Sequence, residues 1–301
     1  MLLDSQLQQY WENGFIVVEN LLPPETLAAV QETTDALVEQ SRHLTEHDAV
    51  YDLADTHSAD NPRVRRLKAP HNVHPVFDNL ICDPVITDVV SQLIGENLRI
   101  GNTKLNFKEA RGGATIEWHQ DWAFYPHTND DLLAAGIFLD DCDLDNGPML
   151  CVPGSHTGPL DDHHHNGHFV GAVDPAQSHY DVETAKPVTG KAGSISLHHT
   201  RCLHASRKNN SNRSRRIFFV EFLAADAWPL KGIAEGVLPG TSGGVDLIQA
   251  WDAFNKRMIK GTPPRQPRIV DNPVILPYPP APSAGSIYEN QKEVAGRSFG
   301  E

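Results

Sequence analysis

A series of short strand patterns between Leu98 and Leu223 constrains the fold more than any other feature of this sequence. β-Branched and aromatic residues form these patterns, and Gly, Pro, Asp and Asn mark the turns between them. The expected strands are 99–108, a strand that carries His119, 132–139, 149–152, 193–197 and 216–223. Apolar stripes at helical spacing predict earlier helices at about 24–41 and 84–95. Short strands after a helical block indicate a mainly β protein with flanking helices and a double-stranded β-helix core of the jelly-roll, cupin-like type.

The chain length fits one large domain. We expect a single domain over 1–301, with a helical N-terminal part at about 1–97, a jelly-roll core at about 98–225 and a proline-rich C-terminal extension at about 226–301. A further helix is expected at 246–258. The polar stretches 43–75 and 157–190 are expected to be irregular loops, and the second to cover the functional site as a mobile lid.

The charge balance argues against two classes of partner. Lys and Arg total 25 against 39 Asp and Glu, and the resulting net charge of −14 disfavours binding to nucleic acid or to an anionic membrane. No apolar run approaches the about 20 residues of a membrane span, and no basic segment followed by an apolar core opens the chain. The four cysteines form no C-x-x-C pair, which is typical of free thiols in a reducing compartment. We therefore expect a cytoplasmic protein with a small-molecule substrate, and the oligomeric state stays open.

The stretch Trp118-His119-Gln120-Asp121-Trp122 contains a candidate pair of metal ligands. Side chains alternate along a strand, so His119 and Asp121 would point to the same face. An imidazole and a carboxylate are two of the three ligands in the 2-His-1-carboxylate triad, which holds Fe(II) and leaves positions open. The His-x-Asp pattern is short, and the chain contains a second one at His179-Tyr180-Asp181.

A second histidine and a cation would complete such a site. The candidate histidines are His198, His199 and His204. An α-keto acid that chelates the metal leaves its far carboxylate for a cation, and arginine suits this role because its planar fork donates two hydrogen bonds. Beyond the hydroxyl of Ser206, the next strand begins with the candidate arginines Arg213, Arg215 and Arg216. Strand alternation does not choose between Arg215 and Arg216, because apolar residues continue both faces.

Together these residues resemble the phytanoyl-CoA dioxygenase family of Fe(II)/2-oxoglutarate-dependent oxygenases, over about residues 5–225. The matching stretches are Trp118-His119-Gln120-Asp121, Asn146-Gly147-Pro148, Pro153-Gly154-Ser155-His156, His204-Ala205-Ser206 and Arg213-Ser214-Arg215. The family usually has glycine where Ala205 stands. The resemblance implies that the catalytic metal ligands are His119, Asp121 and His204. It also implies that the 2-oxoglutarate carboxylate binds to Arg215, Ser206 and, further upstream, Lys68.

The resemblance implies an enzyme that uses Fe(II), 2-oxoglutarate and O2. The expected reaction is hydroxylation of an unactivated C–H of a small-molecule metabolite, with release of succinate and CO2. Desaturation or rearrangement are other outcomes of the same chemistry. Two alternatives are an acyl-CoA 2-hydroxylase of the phytanoyl-CoA type and a non-catalytic jelly-roll protein that binds a metal or ligand, since fold does not imply function.

Overall fold

The structure is a computed structural model, and it describes residues 1–230, 252, 254–275, 279–283 and 285–299. The α-helices within these ranges are α1 (Asp4–Asn13), α2 (Pro24–Gln40), α3 (Pro75–Cys82), α4 (Pro84–Ile94) and α5 (Ile287–Asn290). The first eight strands are β1 (Phe15–Val18), β2 (Tyr51–Leu53), β3 (Val64–Lys68), β4 (Leu98–Lys108), β5 (Ile116–His119), β6 (Leu132–Phe138), β7 (Met149–Cys151) and β8 (His164–His165). The others are β9 (His168–Phe169), β10 (Lys186–Val188), β11 (Ile195–His199), β12 (His204–Ser206), β13 (Arg215–Ala224) and β14 (Met258–Lys260).

Two antiparallel sheets form the core of the fold. The larger sheet has the order β1-β11-β6-β13-β4-β3-β2, with β14 paired to β4. The smaller sheet has the order β10-β7-β12-β5. Strands that are far apart in the sequence therefore become neighbours, as in a jelly roll, and β5 pairs directly with β12.

The N-terminal helices cover one face of the larger sheet. Proline occupies the first turn of α2, α3 and α4, where its missing N–H costs no hydrogen bond. Phe77 of α3 packs edge-on against Phe218 of β13, with ring centroids 5.2 Å apart. This apolar interface leaves the opposite face of the sheet to form the wall of an internal cavity. Among the described residues, no helix is both long and apolar enough to span a membrane.

Both stretches expected to be irregular loops contain regular structure. Within 43–75, β2 and β3 join the larger sheet beside β4, so that expectation was wrong. Within 157–190, β8, β9 and β10 form, and Phe169, Val170 and Val173 are buried. The helix expected at 246–258 falls mostly outside the described residues.

Candidate active site

Strand pairing brings His119 and His204 together. They are register partners in β5 and β12, and their ring centroids lie 4.1 Å apart. Each ring contacts through Nδ1 the backbone carbonyl two residues earlier, Glu117 at 2.8 Å and Cys202 at 2.9 Å. If Nδ1 carries the proton that these carbonyls accept, Nε2 of each ring is left with its lone pair as a metal ligand.

Asp121 completes a group of three oxygen and nitrogen donors. The prediction that it continues the strand of His119 was wrong, because β5 ends at His119 and Asp121 begins a 3-10 turn. The turn nevertheless directs its carboxylate towards the histidines, and Asp121 Oδ1 lies 3.7 Å from His119 Nε2. The candidate ligand atoms of His119, Asp121 and His204 all lie within 4.8 Å of one another, and all three residues are buried.

The electrostatics of this group suit a divalent cation. Burial lowers the pKa of His119 to about 4 and holds that of His204 well below its ordinary value, so both rings are neutral at pH 7. Burial alone would favour a protonated Asp121, but the adjacent imidazoles of His198 and His204 keep its pKa well below the usual range. Two neutral imidazoles and one carboxylate, without a thiolate, form the donor set that fits Fe(II).

A small cavity of about 50 Å³ leads from this group between the two sheets, and we call it the inner cavity. Arg215 and Ser206 both line it, and so does Lys108 of β4. Lys108 Nζ donates to Ser206 Oγ at 3.0 Å and also to the carbonyl of Arg207. Arg215 is only 4% exposed, and its Nε has no hydrogen-bond partner among the described residues. An unpaired buried guanidinium is costly, so the inner cavity fits a ligand with a carboxylate.

The structure separates the three candidate arginines. Arg215 faces the inner cavity, whereas Arg216 points to the other face of β13 and forms ion pairs with Asp140 and Asp35. Arg213 lies in the preceding turn, more than half exposed, and pairs with Asp143. Of the three, Arg215 alone is brought to the metal-ligand group.

Lys68 does not line the inner cavity but a larger one that adjoins Asp121, and its Nζ donates to the carbonyl of Asp48. His179 lies outside both cavities, more than half exposed, and its Nδ1 lies 2.5 Å from Asp161 Oδ1. Sequence reasoning missed Lys108, although the period-two spacing of Lys104, Asn106 and Lys108 indicates that the three share one face of β4.

Two further buried histidines, His198 and His163, lie beside the candidate ligands. His198 Nε2 lies 3.5 Å from Asp121 Oδ2. The backbone N–H of Gln120 donates to His163 Nε2 at 2.8 Å. His163 belongs to a triplet with His164 and His165 that sequence reasoning assigned to a solvated loop, yet it is 2% exposed. It fixes the backbone between the ligands His119 and Asp121.

A second cavity of about 670 Å³, which we call the outer cavity, adjoins the metal-ligand group at Asp121. The C-terminal segment closes part of both cavities: Ile287 lines both, Tyr288 the inner one and Glu289 the outer one. Glu117 holds the end of this segment by accepting from the backbone N–H groups of Gly296 and Ser298 at 2.9 Å each.

Comparison with known proteins identifies the family. The family model of phytanoyl-CoA dioxygenase matches residues 10–217. The chain is 33% identical, over 98% of its own length and 99% of the relative, to a probable alpha-ketoglutarate-dependent hypophosphite dioxygenase of Stutzerimonas stutzeri. An ectoine dioxygenase of Bordetella bronchiseptica is 26% identical over 72% of this chain and 74% of the relative.

The crystal structure of EctD from S. alaskensis with bound Fe matches with a TM-score of 0.63 and 22% identity, covering 74% of this chain and 77% of that one. The predicted jelly-roll fold is thereby confirmed. The predicted enzyme class, with Fe(II) as its metal cofactor and 2-oxoglutarate and O2 as co-substrates, is confirmed by the family and the full-length relative. The chain belongs to the phytanoyl-CoA dioxygenase family of Fe(II)- and 2-oxoglutarate-dependent oxygenases.

Proposed function

We propose that this chain hydroxylates a small metabolite, with Fe(II) held by His119, Asp121 and His204 and with the far carboxylate of 2-oxoglutarate held by Arg215. The observation that carries this proposal is the buried guanidinium of Arg215, whose Nε has no hydrogen-bond partner among the described residues, at a cavity that the three candidate ligands also line. Ser206 and Lys108 would supply further donors to the same carboxylate.

In this proposal the side chains bind the metal and the co-substrate, orient the co-substrate, and keep bulk water out of the site. Burial of the ligand group keeps bulk water away, which strengthens the charge-assisted contacts inside. Arg215 fixes one end of the co-substrate, so that its keto acid end reaches the ligand group. When bound, Fe(II) supplies the activation of O2 that couples oxidative decarboxylation of 2-oxoglutarate to hydroxylation, which yields succinate, CO2 and the alcohol.

We also propose that the whole chain acts as one catalytic domain. Strands β1 to β3 from the N-terminal part belong to the larger sheet, and residues 285–290 line the cavities, so neither end is independent of the core. The cysteines remain unpaired, which supports a reducing, cytoplasmic location.

Succinate release over a metabolite library tests the proposed function. A true substrate should stimulate release of succinate and yield a product heavier by one oxygen atom. Asp121→Ala should abolish both signals, whereas Asp181→Ala, from the second His-x-Asp pattern, should retain them. If no compound in a broad library stimulated the wild-type protein above its uncoupled rate, the hydroxylase proposal would fail.

Oxidation of hypophosphite is a second candidate function. It is favoured by 33% identity along nearly the full length to a probable hypophosphite dioxygenase. One P–H bond would be converted to P–OH, with 2-oxoglutarate and O2 consumed. Equal amounts of phosphite and succinate would support this reaction, and succinate without phosphite would refute it.

A further inference from the structure

Two positively charged side chains lie where the inner and outer cavities meet. Arg66 of β3 and Lys104 of β4 line both cavities, as does Asp121 of the candidate ligand group. A substrate that approaches the metal from the outer cavity must therefore pass between or beside these two side chains. Arg215 and Lys108 line the inner cavity only and are assigned to the co-substrate. Lys68 lines the outer cavity only, and its ammonium donates to the carbonyl of Asp48, so Arg66 and Lys104 are left to the substrate.

The Lys104 ammonium forms no hydrogen bond and no ion pair with any described residue. Its Nζ lies 5.9 Å from the centroid of the Phe219 ring, and its charge acts at longer range on the carboxyl groups of Asp121 and Glu221. Lys104 is the register partner of Lys68 on β3. Like charges directly opposite on neighbouring strands are destabilising, and the Lys68 ammonium contacts the carbonyl of Asp48 instead. The hydrogen-bond donors of the Lys104 ammonium are therefore not used by any described residue.

Arg66 is only weakly paired. Its Nη2 lies 3.5 Å from Asp52 Oδ2, and its buried Nε has no hydrogen-bond partner among the described residues. Asp52 contacts Arg65 more closely, at 2.7 Å. The guanidinium of Arg66 is thus still able to donate hydrogen bonds into the cavity.

The other carboxylates of the outer cavity already have partners. Asp52 and Glu289 both contact Arg65, at 2.7 Å and 3.3 Å. Glu221 accepts a hydrogen bond from the backbone N–H of Asn102 at 3.1 Å. In the outer cavity, Lys104 and Arg66 therefore still have hydrogen-bond donors that no described residue accepts. The carboxylates of the same cavity already accept hydrogen bonds or form ion pairs.

We propose that Lys104, together with Arg66, binds an anionic head group of the substrate, a carboxylate or a phosphorus oxyanion, beside the metal. This inference rests on the proposed function. A cavity of about 670 Å³ lies within the range of small-molecule sites, so it has room for an organic portion as well as the head group. The head group at Lys104 would place the neighbouring atoms of the substrate next to the ligand group.

Binding of matched probes tests the proposal. Calorimetric titration of the anaerobic Fe(II)- and 2-oxoglutarate-loaded protein would use butyrate, butyl phosphate, hypophosphite, butanol and butylamine. At least one anion should bind at least tenfold more tightly than butanol, and butylamine should not bind. The butyrate and butyl phosphate titrations distinguish a carboxylate site from a phosphoryl site. Butanol or butylamine binding as tightly as the anions, or no anion binding at all, would overturn the proposal.

Variants then locate the site. Lys104→Met should weaken anion binding at least tenfold, which corresponds to about 1.4 kcal/mol, and leave 2-oxoglutarate affinity unchanged. Lys191→Met removes the same charge from an exposed surface position and should change neither affinity. If Lys104→Met does not fold, Lys104→Gln serves instead.

Two further outcomes of these titrations would overturn the proposal or refute the proposed function. A Lys104 variant that loses 2-oxoglutarate binding but retains anion binding would assign Lys104 to the co-substrate and overturn the proposal. A wild-type protein that does not bind 2-oxoglutarate would refute the proposed function itself.

Discussion

Replacement of Arg215 by methionine should affect co-substrate binding and stability in opposite directions. Arg215 is buried, 4% exposed, and it forms no ion pair with a described residue. Burial lowers its pKa, so the guanidinium is held in its charged form at a cost. A bound carboxylate would offset the unfavourable free energy of this buried charge by pairing with it. Methionine fills similar space and carries no charge.

The expected magnitude follows from this burial. Removal of one partner from a buried charge pair costs about 3–5 kcal/mol. At about 1.4 kcal/mol per tenfold change, Arg215→Met should raise the 2-oxoglutarate concentration needed for half-maximal turnover by roughly one hundredfold to several thousandfold. The ligand-free variant should be as stable as the wild type or more stable, because it no longer buries an unpaired charge.

Succinate release at varied 2-oxoglutarate concentrations measures the first effect, and urea unfolding of the ligand-free protein measures the second. Arg216→Met is the matched control: the neighbouring residue faces the helices and pairs with Asp140 and Asp35. It should reduce stability and leave the 2-oxoglutarate requirement within about threefold. The reasoning is refuted if Arg216→Met abolishes co-substrate binding and Arg215→Met does not.

Three further predictions concern single side chains. Burial raises the pKa of Glu221 to about 7 although Lys104 opposes the shift, so its contribution to stability falls as pH rises from 4.5 to about 7. In metal-free protein, Glu221→Gln should therefore raise the free energy of unfolding, measured in urea, by about 3 kcal/mol at pH 8 and leave it unchanged at pH 4. An equal gain at both pH values would contradict the raised pKa of Glu221. Lys108→Met should raise the 2-oxoglutarate requirement at least tenfold and Lys68→Met less than threefold, in the same succinate assay; the reverse order would favour Lys68, the residue that the family resemblance implies, as the co-substrate contact. Glu117→Ala removes the acceptor for two backbone N–H groups of the C-terminal segment, so limited proteolysis should cleave that segment sooner than in wild type, and unchanged cleavage would show that other contacts hold it.

The sequence was sufficient to predict the strand that carries His119, but not β12, which carries His204, nor the 3-10 turn of Asp121. The strand over 132–139 and the helix that begins at Pro84 follow apolar periodicity, and the structure confirms both. Strand alternation alone could not choose Arg215 over Arg216, because both faces of β13 are apolar in sequence, and the family resemblance made that choice. In the structure, tertiary packing places Arg215 at the inner cavity and Arg216 beside Asp140 and Asp35.

The predictions from sequence that were wrong or incomplete have a common physical cause, which is the packing of polar residues inside the fold. Strand β3 reads Val-Arg-Arg-Leu-Lys, and its charged residues hide the alternation because Arg66 and Lys68 line the outer cavity and Arg65 pairs with Asp52 and Glu289. His163 was expected in solvent since its neighbours are polar, yet the backbone of Gln120 provides a partner 43 positions away. The spacing of Lys108 from Lys104 places both on one face of β4, but only strand pairing shows that this face lines the inner cavity, and no local pattern predicts that Tyr288 reaches it.

Iron stoichiometry tests the central assignment most directly. Anaerobic reconstitution followed by metal analysis should give one Fe(II) per chain for the wild type, because the three candidate ligand residues form a single group within 4.8 Å. His119→Ala should lose the iron, and His179→Ala, whose imidazole pairs with Asp161 at a distance from this group, should retain it. Equal iron occupancy in the wild type and His119→Ala, or loss of iron in His179→Ala alone, would contradict the assignment of His119, Asp121 and His204 as the metal centre.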